Sequence, residues 1–318
     1  MPTTWANLLS SRKGKALRVF RYSRTGAVLA AVSATPGLLQ FRATYLGRVK
    51  TDSYRELEHG TYRTPPRRLS LVARWLPSLR HYAAFLPIVF RSARMAKRGV
   101  YGDDRWAETS QGVRRALESA GVKISVTGLD HVAALDGPCV FVGNHMSILE
   151  SMLLPGFVQP LRPVTFVVKE ALIRTPVFKH VMRSRDPIVV TRTDPRADFK
   201  TMMQGGQRRL AENRSLIVFP QTTRTRTIDR EHFNSIGVKL ARRAGVPIVP
   251  IAIRSDAWGM AKFFFKDFGR IDPSIPVNLA FGEPVTVTGR GTEAHEHVLD
   301  FIEGHLEQWG IPPARENP

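Results

Sequence analysis

Only one cysteine, Cys139, stands among 318 residues. That excludes a disulfide framework and a zinc site built from cysteine ligands. Cys139 opens the apolar run Cys139-Val140-Phe141-Val142, where a buried strand thiol is expected. Long apolar runs are missing too. The longest, Thr25 to Phe41, falls short of the ~20 residues that a spanning helix needs, and Gly26, Pro36 and Gly37 interrupt it. It also lacks the small-residue cleavage context of a signal peptide. Acidic residues are scarce in one region above all. Residues 1–100 carry 19 Lys and Arg against 3 Asp and Glu, whereas the rest of the chain carries 28 against 24. The net charge of +20 is thus mostly that of the N-terminal third. A cationic arm serves nucleic acid or anionic lipid. Next to an anionic bilayer each Lys or Arg contributes about 1 kcal/mol. No nucleic-acid docking motif accompanies the arm, so the partner expected is an anionic membrane surface and not a nucleic acid. The location expected is peripheral or monotopic, on the cytoplasmic face of a membrane.

Hydrophobic residues make up 43% of the chain, enough for a full core. Three regions differ in character. Residues 1–68 read as a basic extension with weak or partial order, rich in turn signals such as Thr64-Pro65-Pro66-Arg67-Arg68. Residues 69–109 read as amphipathic membrane-associating helices, broken near Pro77 or Pro87. Trp75, Tyr82, Phe85 and Phe90 are interleaved there, and Arg91, Arg94, Lys97 and Arg98 follow. Packing of the same helices on the main domain is the alternative. Residues 110–318 alternate short apolar strands with helices. Strands are expected at 122–127, 139–142, 164–168, 188–191, 215–219, 248–253 and 277–281, with helices between them and a last helix near 293–307. That alternation implies an α/β fold, a mostly parallel central sheet flanked by helices. In such sheets chemistry collects at strand ends and in the loops that follow.

Four segments hold candidate residues. In Gly143-Asn144-His145-Met146-Ser147-Ile148-Leu149-Glu150, His145 follows a buried strand and Glu150 lies about one and a half helical turns on. A carboxylate there can fix the imidazole tautomer and leave the other nitrogen as a general base; a helix cap beside a solvated acid is the plainer reading. In Phe166-Val167-Val168-Lys169-Glu170-Ala171-Leu172, Lys169 at a strand end can bind an anion or polarise a carbonyl, or be a surface lysine. Arg192, after the 188–191 strand, has the same two readings. In Leu216-Ile217-Val218-Phe219-Pro220-Gln221-Thr222-Thr223-Arg224, one turn gathers amide, hydroxyl and guanidinium groups suited to a phosphate. Arg224, Arg226 and Arg230 can equally be solvated loop cations. Gly245-Val246-Pro247-Ile248-Val249-Pro250 opens a buried strand that lines a cavity or fills the core.

Taken in order and spacing, these segments resemble the four blocks of the glycerophospholipid acyltransferases, typified by 1-acylglycerol-3-phosphate acyltransferases. The family's N-H-x4-D appears as Asn144-His145-x4-Glu150, and F-x-x-K-x-x-L as Phe166-x-x-Lys169-x-x-Leu172, with Arg192 later. F-P-E-G-T-R appears as Phe219-Pro220-Gln221-Thr222-Thr223-Arg224, and V-P-I-V-P as Val246 to Pro250. Phe233 and Gly237 match between the third and fourth blocks. The resemblance spans roughly residues 110–285. It implies transfer of a fatty acyl group from an acyl-CoA or acyl carrier protein thioester to a lysophospholipid hydroxyl, with 1-acylglycerol-3-phosphate giving phosphatidic acid. His145 and Glu150 are then catalytic. Asn144, Lys169, Arg192, Gln221, Thr222, Thr223 and Arg224 bind substrate, and no metal or other cofactor is required. The chain departs from the pattern at Glu150, Gln221 and Thr222, where Asp, Glu and Gly are usual. Those departures leave two further readings open: a catalytically altered lipid-binding relative, or an acyltransferase with another acceptor.

Overall fold

A computed structural model of the chain describes residues 20–21, 28–29, 60–221, 223–261 and 267–312. The expectations for the remainder of the basic arm, for most of the Thr25–Phe41 run and for Thr222 fall outside them. Phe20–Arg21 and Val28–Leu29 pair antiparallel with each other.

The other strands build one sheet. They are β1 (Tyr62–Arg63), β2 (Ile124–Thr127), β3 (Val140–Gly143), β4 (Val164–Lys169), β5 (Ile188–Val190), β6 (Ser215–Val218), β7 (Ile248–Arg254) and β8 (Val277–Phe281). Across the sheet they run β1-β2-β8-β7-β3-β6-β4-β5. From β7 to β5 every pairing is parallel, and β8 lies antiparallel to β7. β2 is parallel to β8, and β1 antiparallel to β2. This is the expected mostly parallel α/β sheet.

Continuous apolar sequence in the central strands reflects burial on both faces. Side chains alternate along a strand, so Phe141, Ile217, Val249 and Ile251 enter one core while Val140, Val142, Leu216 and Ile248 enter the other. Val140 stands opposite both Leu216 and Ile248, which makes a single apolar row across three strands. The first core is covered by α2 (Pro77–Lys97), α3 (Asp103–Ser119), α4 (Leu129–Ala134) and α5 (Leu149–Val158). The second is covered by α8 (Pro195–Ala211), α9 (Ile236–Ala244) and α10 (Thr292–Gln308).

Two expected boundaries shift. The chain from Gly60 onward does not belong to a loose extension: Tyr62 is buried in the first core and β1 extends the sheet. Tyr62 donates its hydroxyl to Glu118, and Thr64 Oγ1 donates to the same carboxylate at 2.8 Å. Arg114 pairs with Glu118 at 3.2 Å, and both are buried in α3. A carboxylate and guanidinium out of water need such partners, and this requirement anchors β1. The border at residues 109 and 110 falls inside α3, which begins at Asp103.

The amphipathic segment divides at Leu76–Pro77 into α1 (Leu71–Trp75) and α2. Pro77 opens α2, where a missing N–H costs nothing. Pro87 lies inside α2 without ending it. Buried Phe85 and Ser92 hold the helix on either side of that proline. The packing reading holds for one face of this segment, and the other face is open to solvent. Phe85 packs into the core, while Leu71, Trp75, Leu76, Leu79 and Phe90 are exposed, Trp75 by 80%.

The inner face of α2 also buries His81. Its ring stacks on Phe85 at 5.3 Å and meets the edge of Trp258 at 4.7 Å. Burial pulls the imidazole down from 6.5 to about 4. Below pH 6.5 the unfolded chain takes up a proton that the folded chain refuses until about pH 4. Stability is therefore fully present above pH 6.5 and is lost as the pH falls towards 4, by about 2 kcal/mol at pH 5. Urea denaturation of the protein and of His81→Phe across this range checks the assignment. The variant is expected to lose about 2 kcal/mol less on acidification; equal slopes contradict it.

Candidate active site

β3 ends at Gly143, where a Cβ would come within 3.0 Å of the Ile251 carbonyl on β7. Glycine permits that approach. The next side chain, Asn144, grips the same neighbour: Nδ2 donates to Ile253 O at 2.8 Å, and Oδ1 accepts from Ile253 N at 2.8 Å. Asn144 is 1% exposed and its amide is spent on β7. It was expected at the substrate and stands instead as a tie between strands.

His145 follows, partly exposed, between the strand end and α5. Its Nδ1 lies 2.8 Å from Glu150 Oε1. Glu150 occupies the first turn of α5 and is fully buried. Oε1 also accepts from Met146 N at 2.7 Å and Ser147 N at 2.9 Å. Oε2 accepts from Ser255 Oγ at 2.6 Å and lies 3.1 Å from Ser147 Oγ. Burial alone pushes the Glu150 carboxyl up; the hydrogen bond and charge of His145, the Ser255 hydroxyl and backbone N–H groups outweigh it and hold the group below the usual carboxylate range. An anionic Glu150 accepts from Nδ1–H, which leaves Nε2 with the lone pair. The plainer reading, a solvated helix acid, does not survive a carboxylate with no exposure.

The His145 ring lies flat on Phe219, centroids 4.6 Å apart and planes 7° apart. Its peptide is clasped by the segment after β6. His145 N donates to Gln221 Oε1 at 2.6 Å, and Thr225 N donates to His145 O at 3.0 Å. Gln221 Nε2 completes the clasp by donating to Thr225 Oγ1. Gln221, expected as a substrate ligand, therefore braces the His145 backbone, although it also borders the cavity described next.

His145 opens on a cavity of about 1390 Å³. Its wall from α2, α3 and the start of α5 is largely apolar, with Phe85, Ile88, Trp106, Val113, Ile148 and Met152. Strand ends and loops supply a polar wall holding Lys169, Arg192, Thr223 and Arg224. The structure thus brings four expected residues to one space with His145. Lys169 ends β4 and precedes α6 (Glu170–Arg174). Arg192 sits in the turn after β5 with φ at +63°, a region that only a few per cent of non-glycine residues adopt. Asp198 of α8 holds that turn by accepting from Thr191 N at 2.8 Å and Arg192 N at 2.6 Å. Arg224 is ion-paired with Asp267. Arg230 reaches Glu296 at 2.8 Å and Glu303 at 2.7 Å on α10, which fastens the third-block loop to the second helical layer.

Sequence reasoning missed Ser147, Ser255, Asp198 and Asp267. Ser147 lies inside the His145–Glu150 segment and invited the question. Ser255 is 108 residues from Ser147, and no local pattern connects the two.

Residues 123–254 match the family model described as Acyltransferase. The 1-acyl-sn-glycerol-3-phosphate acyltransferase of Pseudomonas aeruginosa is 32% identical over 133 residues, which cover 42% of this chain and 50% of that protein. A chloroplastic protein of the same description from Brassica napus is 28% identical over 131 residues, 41% of this chain and 37% of its own length. The chain thus spans half or less of these two relatives. The crystal structure of the 1-acyl-sn-glycerophosphate (LPA) acyltransferase from Thermotoga maritima superposes with a TM-score of 0.56 at 22% identity, over 76% of this chain and 97% of that one. The fold is shared.

Gln221→Leu removes the acceptor of the His145 N–H and is expected to cost about 1–3 kcal/mol. Gln221→Glu keeps an acceptor oxygen in reach and is expected to cost less. Chemical denaturation of both variants checks this; equal losses would place the role of Gln221 elsewhere.

Proposed function

We propose that this chain, whose residues 123–254 match the acyltransferase family model, moves a fatty acyl group from a thioester to a lysophospholipid hydroxyl. The acceptor proposed is 1-acylglycerol-3-phosphate and the product phosphatidic acid. The observation that carries the reading is the 2.8 Å contact between His145 Nδ1 and a buried Glu150, with the imidazole bordering a large cavity that is largely apolar on one side and holds Lys169, Arg192 and Arg224 on the other.

The chemistry follows from those positions. His145 Nε2 accepts the proton of the acceptor hydroxyl as its oxygen attacks the thioester carbonyl. The C–O bond forms, the tetrahedral intermediate collapses, and the C–S bond breaks. The proton held on His145 passes to the departing thiolate. Glu150 keeps Nδ1 protonated and steadies the imidazolium, and Phe219 offers it a π face at 4.6 Å. Lys169, Arg192 and Arg224 hold the acceptor's phosphate, with Arg224 exchanging Asp267 for it. Thr223 adds a hydroxyl to the same wall. Asn144 acts on the position of His145 and not on the substrate, while Gln221 braces the His145 peptide from the cavity wall. Since Gln221 still clasps the His145 peptide, its departure from the family pattern leaves the dyad intact, which favours an active enzyme over a silent relative. The acyl thioester of coenzyme A or acyl carrier protein is a co-substrate, and the proposed reaction draws on no other cofactor.

The site belongs at a membrane surface, on the cytoplasmic face. Among the described residues no helix is long and apolar enough to cross a bilayer. The exposed apolar face of α1 and α2, with Arg74, Arg80, Arg91 and Arg94 on the same helices, suits the interface between headgroups and acyl chains.

His145→Ala is expected to lower turnover of acyl-CoA with lysophosphatidate by about 10²–10⁴-fold. Full activity in that variant sinks the mechanism. For the membrane face, Leu71→Glu with Trp75→Glu is expected to cut co-sedimentation with anionic phospholipid vesicles about tenfold or more. Unchanged sedimentation would move the docking surface off α1.

A further inference from the structure

We infer that Ser255 is a positioning residue of the dyad: from the end of β7 its hydroxyl fixes Oε2 of Glu150 and thereby holds Oε1 beneath His145 Nδ1.

Three oxygens meet at this point. Ser255 Oγ is 2.6 Å from Glu150 Oε2, Ser147 Oγ is 3.1 Å from the same oxygen, and the two hydroxyls are 3.0 Å apart. Two hydroxyl protons serve these three contacts. Ser147 Oγ also accepts from Leu149 N at 3.0 Å, a task of the helix start. The shortest contact is the one from Ser255, at a length typical of a hydroxyl donating to a carboxylate. Ser255 is therefore the hydroxyl committed to Glu150, while Ser147 bridges. All three residues are buried, Glu150 and Ser255 with no exposure, so no water replaces a lost donor.

The side-chain length at position 150 fits the same account. Glutamate carries its carboxylate one methylene farther from α5 than the family's aspartate. That extra reach lets one oxygen meet His145 while the other meets Ser255, the residue after β7. The end of β7 and the residue after it thus hold the site at two points two residues apart: Ile253 grips Asn144, just before the histidine, and Ser255 grips its acid partner. Ser255 does not line the cavity, so it acts through Glu150 and not on substrate. Its position also lies one residue beyond the segment that matches the family model.

The test uses the 318-residue chain with Ser255→Ala, and with Ser255→Cys as a variant of similar size that donates only weakly. In both, the Glu150 carboxyl resonance, assigned through Glu150→Gln, is followed by carbon-13 NMR against pH. Loss of the hydroxyl destabilises the anion, so the midpoint is expected to move up by about half a pH unit or more. This readout stands whether or not the chain transfers acyl groups. The activity arm rests on the proposed acyl transfer: kcat is expected to fall about tenfold with the KM for acceptor within twofold. The acid limb of the pH–rate profile moves up as well. An unmoved carboxyl midpoint in both variants overturns the inference, even if stability or rate is lost. A moved midpoint in a chain that turns over no substrate keeps the inference and removes the function.

Discussion

A carboxylate with no exposure to water, Glu150, is the constraint on which the site depends. Moving such a charge out of water costs several kcal/mol unless every oxygen is satisfied. The local fold meets that demand at short range. The chain turns tightly between β3 and α5, so that the N–H groups of Met146 and Ser147 point at Oε1, and the start of α5 adds its dipole. His145 is one more donor in the same set. Its ring orientation is therefore fixed by the requirements of a buried anion, and not by contacts with substrate. An imidazole prepared in this way would need no reorganisation to serve as the proposed base.

The sheet supplies what the turn cannot. β3 lies between β7 and β6, and each neighbour sends a hold onto the segment beyond its end. From β7 come the bonds to Asn144 and Glu150; from β6 come Phe219 under the ring and Gln221 and Thr225 on the peptide. The β6 loop is in turn fixed from outside, by Arg226 to Asp256 at 2.9 Å and by Arg230 to α10. A central strand flanked by parallel neighbours thus places three strand ends around one imidazole, the general position for chemistry in an open α/β sheet. On the other side of the cavity stands α2, whose opposite face exposes Leu79 and Phe90. One helix separates the apolar wall of the cavity from the surface proposed to meet lipid.

Much of this was legible in the sequence, for physical reasons that can be named. Strands buried on both faces read as unbroken apolar runs, so β3, β4, β6, β7 and β8 were found within a residue or so at each end, and β8 at both ends. The His145–Glu150 pairing was legible because its two members lie close along the chain. What escaped depends on contacts between distant segments. β1 reads as turn-rich, basic sequence, and contacts with distant residues draw it into the sheet: the buried Glu118 that Tyr62 and Thr64 satisfy, and the pairing with β2. Asn144 and Gln221 sit inside motif blocks, and a motif does not say which way a side chain points. Their places in the blocks suggest substrate contacts; both hold backbone, and Gln221 also borders the cavity. Pro77 and Pro87 looked equivalent as helix breakers, yet packing on either side of Pro87 carries α2 through it. Ser255 has no signal of its own, because its meaning is a 2.6 Å contact made across the fold.

The most direct measurement of the central claim is product analysis on the 318-residue chain bound to anionic phospholipid vesicles. An acyl-CoA or acyl carrier protein thioester and 1-acylglycerol-3-phosphate are supplied, and mass spectrometry follows the lipid while a thiol reagent follows the leaving group. The account predicts phosphatidic acid and free thiol in equal amounts. Intact thioester with every lysophospholipid offered, in a chain that is folded and bound to the vesicles, would contradict it.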